Sequence, residues 1–159
     1  MHKNSEALTP EKARLKIFRF CSYQERSHNE VRQKLSQYGL RQSDVELIIT
    51  ELITAGFLNE ERFARAYAGG KFRMKKWGRI KIQNELEFRG LTKNCIKSGM
   101  QEIDEDDYRK SLEELLLKKS TALNAVSDQF IRRDKIANYG IQKGFEPELV
   151  WQIIKALDL

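Results

Sequence analysis

The residues best suited to bind a charged partner form a basic run near the middle of the sequence. Between positions 62 and 81 of the 159-residue chain there are eight basic residues and no acidic one. A surface with this charge density can hold an anion or a partner macromolecule. The alternative is an ordinary solvated surface with Trp77 packed in the core. The residues predicted to form a binding face are Arg62, Arg65, Lys71, Arg73, Lys75, Lys76, Trp77, Arg79, Lys81, and a smaller cluster at Arg132 and Arg133.

The overall charge agrees with an anionic partner but does not identify one. The chain has 29 Lys and Arg against 23 Asp and Glu, which gives a formal net charge of +6. Excess positive charge favours nucleic acid or a nucleoprotein as a partner. If the basic residues share one side of the molecule, we expect the binding of a negatively charged strand to depend strongly on salt.

Patterns for catalysis, metals or cofactors fail at particular positions. The Gly-Lys pair before Phe72 lacks the Ser or Thr that a phosphate loop needs next. The acidic segment 102–114 has Tyr108 and Arg109 where a calcium loop needs a ligand and a glycine. His2 and His28 have no cysteine or carboxylate at ligand spacing. We therefore predict a protein that is not an enzyme and holds no metal or cofactor.

The elements that position the basic run come from an internal repeat. Three segments align on Gly39, Gly90 and Gly144, with apolar residues at equal offsets around each glycine. Those offsets hold Val31, Ile82 and Ile136 before the glycine, and Leu40, Leu91 and Phe145 after it. The pattern predicts a helix, a glycine that ends it in the left-handed conformation, and a second amphipathic helix.

A further helix precedes each of these pairs, which predicts nine helices in three triplets. The first helices span Pro10 to about 25, Glu60 to about 75 and Asp106 to about 119. We expect them to bury Ala13, Ile17, Phe18 and Cys21; Phe63, Tyr67, Gly70 and Met74; and Tyr108, Leu112, Leu115 and Leu116. Helix starts are predicted at Thr9, Asn59, Thr92 and Pro147, with capping boxes at Ser27 with Glu30 and Ser43 with Glu46.

The prediction is an all-α protein in which three tandem three-helix repeats form an elongated, curved body. Its parts are a polar tail at 1–9 and repeats at 10–58, 59–104 and 105–159. The segment 120–129 is the predicted mobile loop, and Cys21 and Cys95 are predicted packing residues. The polar start of the sequence and its lack of a long apolar stretch predict a cytoplasmic protein without a membrane span. We expect a monomer.

The second repeat resembles the signature of the RecX family of bacterial recombination regulators. The resemblance lies in GFLNEERFARAYAGGKFRMKKWGRIKIQNELEFRGL, residues 56–91, and the flanking repeats extend it over about 11–157. Its specificity comes from the order and spacing of the residues. The matching residues are Gly56, Phe57, Leu58, Glu61, Arg62, Phe63, Ala64, Tyr67, Gly78, Ile82, Leu86 and Gly90.

This resemblance implies a cytoplasmic protein that binds the RecA recombinase, lies along its nucleoprotein filament, and inhibits ATP hydrolysis and strand exchange. The sequence departs from the family pattern at Asn59, at Arg79 and at the pair Gly69-Gly70, which predicts a helix that bends or ends early. Two other functions stay open. One is direct binding of single-stranded or duplex DNA by a helix-turn-helix without RecA, and the other is a purely structural helical scaffold.

Overall fold

The computed structural model describes residues 6–159, so His2 and most of the predicted tail lie outside the described residues. The described part contains nine α-helices and no strand, which confirms the all-α prediction. The helices are α1 (Pro10–Tyr23), α2 (His28–Gln37), α3 (Gln42–Thr54), α4 (Glu60–Lys75), α5 (Arg79–Phe88), α6 (Lys93–Met100), α7 (Glu105–Ala122), α8 (Gln129–Gln142) and α9 (Pro147–Ala156).

The three aligned glycines end the second helix of each triplet in the left-handed conformation, as predicted. Their φ angles are 81° at Gly39, 82° at Gly90 and 99° at Gly144. A side chain in this region would crowd its own backbone, so glycine is the residue that adopts it at low cost. The sequence alignment on glycine is therefore an alignment of equivalent turns.

Most of the predicted helix starts are confirmed. The side chains of Thr9, Ser27, Asn59 and Thr92 each accept a hydrogen bond from a backbone N–H in the first turn of the helix that follows. The predicted cap at Ser43 is wrong. The chain enters α3 directly after the preceding turn, so Arg41 occupies the cap position without a side-chain bond. The carboxylate of Glu46 instead accepts a hydrogen bond from Arg32 Nε at 2.7 Å.

Helix α4 runs through Gly69 and Gly70 to Lys75, so the prediction that it ends early is wrong. The predicted burial of Met74 is also wrong, since its side chain is 83% exposed. The buried residues of α4 run from Phe63 at its start to Phe72 near its end. There the Phe72 ring packs against Tyr108 of α7. Met74 therefore faces away from the core.

The predicted loop at 120–129 is shorter than expected because α7 continues to Ala122, and residues 123–128 connect it to α8. The mobility of this loop stays a prediction. Both cysteines pack as predicted: Cys21 lies in the core of the first triplet, and Cys95 is half-buried against the other core. No helix in residues 6–159 combines the length and the apolar character that crossing a bilayer requires.

The buried residues form two cores rather than three. One core lies within α1–α3 and includes Ile17, Leu35 and Leu52. The other runs through both later triplets. The core that both later triplets share does not separate 59–104 from 105–159, and the division at 10–58, 59–104 and 105–159 stays a prediction. The accessible surface of 10653 Å² exceeds the roughly 8300 Å² expected for a compact protein of 18.7 kDa. This agrees with an elongated body, and its curvature stays a prediction.

A repeated contact joins successive units at the residue before each turn glycine. The carbonyl of Arg89 accepts a hydrogen bond from Asn29 Nδ2 at 2.9 Å. The carbonyl of Lys143 accepts one from the Gly78 N–H at 2.7 Å. The carbonyl of Tyr38 accepts one from the N–H of Leu8, which precedes α1, at 2.9 Å. Each repeat is thus tied to the preceding segment at the same point.

The junction between the first and second triplets is polar. Glu60 accepts a hydrogen bond from the His28 N–H at 2.9 Å, and Arg89 pairs with Glu30 at 3.0 Å. Arg62 pairs with Glu25, which follows the end of α1. This junction therefore consists mainly of ionic and amide contacts, which explains why the two cores do not merge across it.

The junction between the second and third triplets is apolar and tight. The ring of Tyr108 is buried, 5.9 Å from the Phe72 ring and 5.0 Å from the Phe145 ring. The Ile80 N–H donates to the Gly144 carbonyl at 3.0 Å. Backbone hydrogen bonds and packed rings therefore hold the two triplets around one core.

Candidate partner-binding face

The basic run lies at the end of α4, in the turn that follows it, and at the start of α5. The half-buried Trp77 ring in the turn lies between two lysines. Lys71 Nζ is 4.9 Å and Lys81 Nζ is 4.5 Å from the centre of that ring. A cation over an indole face is attracted by the ring quadrupole. Trp77 thus packs partly against the core and lies between two positive charges, and its role in binding a partner stays a prediction.

The remaining open bases surround the end of α4. Arg73, Lys75 and Lys76 are exposed. Lys76 ends the helix with a left-handed φ of 58°. Lys143 of the third triplet donates from Nζ to the Lys75 carbonyl at 3.1 Å. Sequence analysis missed Lys143, although its place before the third turn glycine is a signal for such a junction contact.

Arg79, in contrast, belongs to the junction and not to an open surface. Its guanidinium pairs with Glu105 and, at 3.1 Å, with Glu146, and lies 3.9 Å from the Tyr108 ring centre. Burial lowers the pKa of Arg79, but the hydrogen bond with Glu105 and the charges of both glutamates outweigh burial and raise it. Two carboxylates therefore neutralise this charge before any partner arrives.

The hydroxyl of Tyr108 contacts both Arg79 and Glu146. It donates to a Glu146 carboxylate oxygen and accepts from the Arg79 N–H at 3.1 Å. Burial raises the pKa of Tyr108; the hydrogen bond from the Arg79 backbone opposes this shift and the one to Glu146 adds to it. The phenol thus stays protonated and acts as a fixed donor inside the junction.

The other four predicted site residues also have partners within the protein. Arg62 donates to the Gly56 carbonyl at 2.9 Å, and Arg65 pairs with Glu61 of its own helix at 2.9 Å. Arg132 and Arg133 lie apart from the basic run, in α8. They bind the end of α7 and the end of the described chain: Arg132 donates to the Ser120 hydroxyl at 2.7 Å and Arg133 to the Leu159 carbonyl at 2.6 Å.

The predicted site therefore separates into two sets. The open set, called the exposed basic face below, forms no ion pair within 4.0 Å in the described part of the chain. The residues of the second set, Arg62, Arg65, Arg79, Arg132 and Arg133, pair with groups of the protein itself and have less free charge to offer. The exposed basic face consists of Lys71, Arg73, Lys75, Lys76 and Lys81 with Trp77.

Within residues 6–159 no cluster of three or more His, Cys, Asp or Glu side chains is arranged to hold a metal ion. The only histidine in this range is His28, whose Nδ1 lies 3.5 Å from a Glu60 oxygen. Its backbone N–H binds the same carboxylate. The geometry of His28 therefore serves the first junction.

The exposed basic face lies in a segment that matches a known protein family. Residues 59–100, which form α4–α6, match the family model described as RecX, second three-helix domain. A protein of Oceanobacillus iheyensis named Regulatory protein RecX is 26% identical over 150 residues, covering 94% of this chain and 55% of its own length. A protein of the same name from Prosthecochloris aestuarii is 26% identical over 138 residues, covering 87% of this chain and 88% of its own. The chain thus spans about half of the first relative.

Two solved structures have the same fold. The crystal structure of RecX from Lactobacillus salivarius superposes with a TM-score of 0.83 at 21% identity, covering 94% of this chain and 96% of that one. A second structure, titled crystal structure of regulatory protein RecX, gives a TM-score of 0.82 at 19% identity, over 92% of this chain and 71% of that one. At these identities the similarity establishes the fold.

Proposed function

We propose that this chain, which is similar to RecX proteins along nearly its whole length, is a regulatory protein of that family that binds RecA and its nucleoprotein filament and inhibits ATP hydrolysis and strand exchange. The observation that carries the proposal is the coincidence of two features in one segment. Residues 59–100 match the family model, and the same segment supplies the exposed basic face. Related proteins along nearly the whole chain are named regulatory proteins.

Inhibition of this kind requires no catalytic group. A ligand that contacts more than one subunit of a filament stabilises the subunit arrangement to which it binds better. An elongated body with a rigid second and third triplet offers such a contact. In this mechanism the exposed basic face meets acidic protein groups or phosphates, and Arg62, Arg65, Arg79, Arg132 and Arg133 hold the body in shape.

The test is the rate of ATP hydrolysis by RecA on single-stranded DNA as this protein is added. We expect the rate to fall with added protein and to recover partly at higher salt, because screening weakens contacts between charged surfaces. Unchanged hydrolysis at saturating protein would refute the proposal.

A pair of matched variants tests the face itself. Arg73→Glu with Lys75→Glu reverses two exposed charges on the exposed basic face. Lys93→Glu with Lys97→Glu makes the same change in net charge on the exposed side of α6. We expect the first variant to lose most of its inhibition and the second to retain it. Equal inhibition by both variants would remove this face from the mechanism and would favour the scaffold alternative. Arg79 is left intact because its loss would disturb the junction.

The second candidate function is direct DNA binding by the two helices around each turn glycine. The exposed lysines favour it, since phosphate contacts supply much of the affinity of DNA-binding proteins. The acids of α3 argue against it: Glu46 and Glu51 lie on that helix, where they pair with Arg32 and Arg14. Sequence-specific retention of duplex DNA without RecA would support this candidate over the first.

We further propose that the protein acts in the cytoplasm, where a recombinase filament is assembled, and that it acts as a monomer. Sedimentation equilibrium of the free protein tests the second point. A dimer at concentrations that inhibit RecA would contradict it.

A further inference from the structure

A groove lined by lysines lies on the third triplet and adjoins the exposed basic face at Lys76. It has a volume of about 420 Å³ and lies between α7, the end of α8 and the turn after α4. This volume falls within the usual range for binding sites, about 300–1000 Å³. Its basic lining residues are Lys76, Lys118, Lys119 and Lys143.

The groove has an excess of positive charge with few internal partners. Glu114 is the single acid among its lining residues, against four lysines. In the described chain, none of these lysines has a carboxylate oxygen within 4.0 Å. Lys119 Nζ lies 4.8 Å from the centre of the Tyr139 ring, which also lines the groove. An anionic occupant would supply the counter-charges that the protein itself does not provide.

The floor of the groove is apolar except for one hydroxyl. Leu115, Ala122 and Tyr139 contribute apolar surface. Ser111, which also lines the groove, is only 9% exposed, and its Oγ has no hydrogen-bond partner within the described residues. A buried hydroxyl without an acceptor is unfavourable, and most such groups in proteins are paired. The Ser111 Oγ atom is itself buried, so the polar contacts that the groove offers to an occupant come from its lysines.

These features fit an acidic peptide better than a nucleic acid. Nucleic-acid strands are bound through free aromatic faces that stack on bases, whereas Lys119 covers the Tyr139 ring. An apolar floor within a ring of lysines complements leucine-like side chains flanked by glutamate or aspartate.

We propose that this groove binds an acidic, amphipathic peptide segment of a partner protein. The glutamate or aspartate side chains of the segment pair with Lys118, Lys119 and Lys143, and its apolar side chains cover Leu115. The binding goes beyond the proposed inhibition of RecA and does not depend on it, since the test below contains neither recombinase nor filament.

The test uses a short fluorescein-labelled synthetic peptide of glutamate and leucine at helical spacing, with fluorescence anisotropy as the readout. We expect saturable binding to the full chain and no binding of a peptide in which lysine replaces each glutamate. In the variant Lys118→Glu with Lys119→Glu, the affinity should fall by about tenfold or more, because two attractive contacts become repulsive. Circular dichroism checks that this variant is folded.

The matched control is Lys93→Glu with Lys97→Glu, which has the same net charge but leaves the groove intact. It should bind the peptide with nearly the affinity of the unchanged protein. An equal loss in both variants would show attraction to net charge alone and would overturn the proposal. Absence of peptide binding would also overturn it. The proposal would also be overturned if a labelled oligothymidylate bound more tightly than the peptide and lost its binding only in the Lys118 and Lys119 variant. The groove would then be a nucleic-acid site.

Discussion

Replacing Gly78 with alanine should open the junction between the second and third triplets. A Cβ atom at this position would lie 2.2 Å from the Gly144 carbonyl carbon and 2.2 Å from the Phe145 nitrogen. Both are backbone atoms, which no rotation of a side chain can move away. Since carbon atoms at rest are about 3.5–4.0 Å apart, the two segments must separate by more than about 1 Å.

This movement would break the two backbone hydrogen bonds of the junction. The Gly78 N–H lies 2.7 Å from the Lys143 carbonyl, and the Ile80 N–H lies 3.0 Å from the Gly144 carbonyl. Each lost bond costs about 1 kcal/mol, and more when the groups stay buried without partners. Overpacking of a tight contact adds about 1–3 kcal/mol. We therefore expect Gly78→Ala to lower the free energy of unfolding by about 4 kcal/mol.

Urea denaturation followed by circular dichroism measures this change, and Gly70→Ala is the matched control. A Cβ at Gly70 would meet nothing within 4 Å, and the residue lies inside α4. Alanine at such a site should stabilise the helix by up to about 1 kcal/mol. If Gly78→Ala costs less than about 1 kcal/mol, the junction is more yielding than its contacts imply and the reasoning fails.

Three further changes have defined outcomes. Lys76→Gly should raise the free energy of unfolding by about 1 kcal/mol in urea, since glycine adopts the left-handed φ of 58° without the cost that lysine pays; a loss of stability would contradict this. Burial raises the pKa of Cys21 to about 11, so iodoacetamide near neutral pH should alkylate the half-buried Cys95 well before Cys21 in a mass-spectrometric time course; equal rates would contradict it. Because burial raises the pKa of Tyr108 in the folded state, its contribution to stability is fully present below its unfolded pKa, about 10, and is lost as the pH rises above it. Tyr108→Phe should lower stability at pH 7 by about 1–3 kcal/mol by removing the bond to Glu146, and the difference from the unchanged protein should shrink in urea titrations above about pH 10; a constant difference would contradict the assignment.

The architecture could be predicted from the sequence because its signals are local. Each repeat has a glycine at the end of its second helix and apolar residues at the same distances from that glycine. The same structural unit can therefore be recognised three times along the sequence. Gly90 has the predicted left-handed conformation and Asn59 the predicted cap. The error at Ser43 has a local cause too, because α3 begins at Gln42, so Ser43 already lies inside the helix and Arg41 occupies the cap position.

The binding face could be predicted only in part, because the acidic residues that neutralise a basic side chain can lie far from it in the sequence. Arg79 and Lys75 look alike within a basic run. Arg79 is paired with Glu105 and Glu146, which lie 26 and 67 residues away in the sequence, whereas Lys75 remains exposed. A count of charges along the sequence includes both. Only the packing of the third triplet against the second decides which charge a partner can reach.

The contrast between the two junctions has a mechanical consequence. The contacts around Glu60 and Arg89 are polar and partly buried, so water can solvate their groups when the first junction opens. The rings of Phe72, Tyr108 and Phe145 cannot part without exposing apolar surface. A force along the molecule therefore bends it at the first junction. We expect the second and third triplets, which carry the exposed basic face, to move as one unit relative to the first triplet.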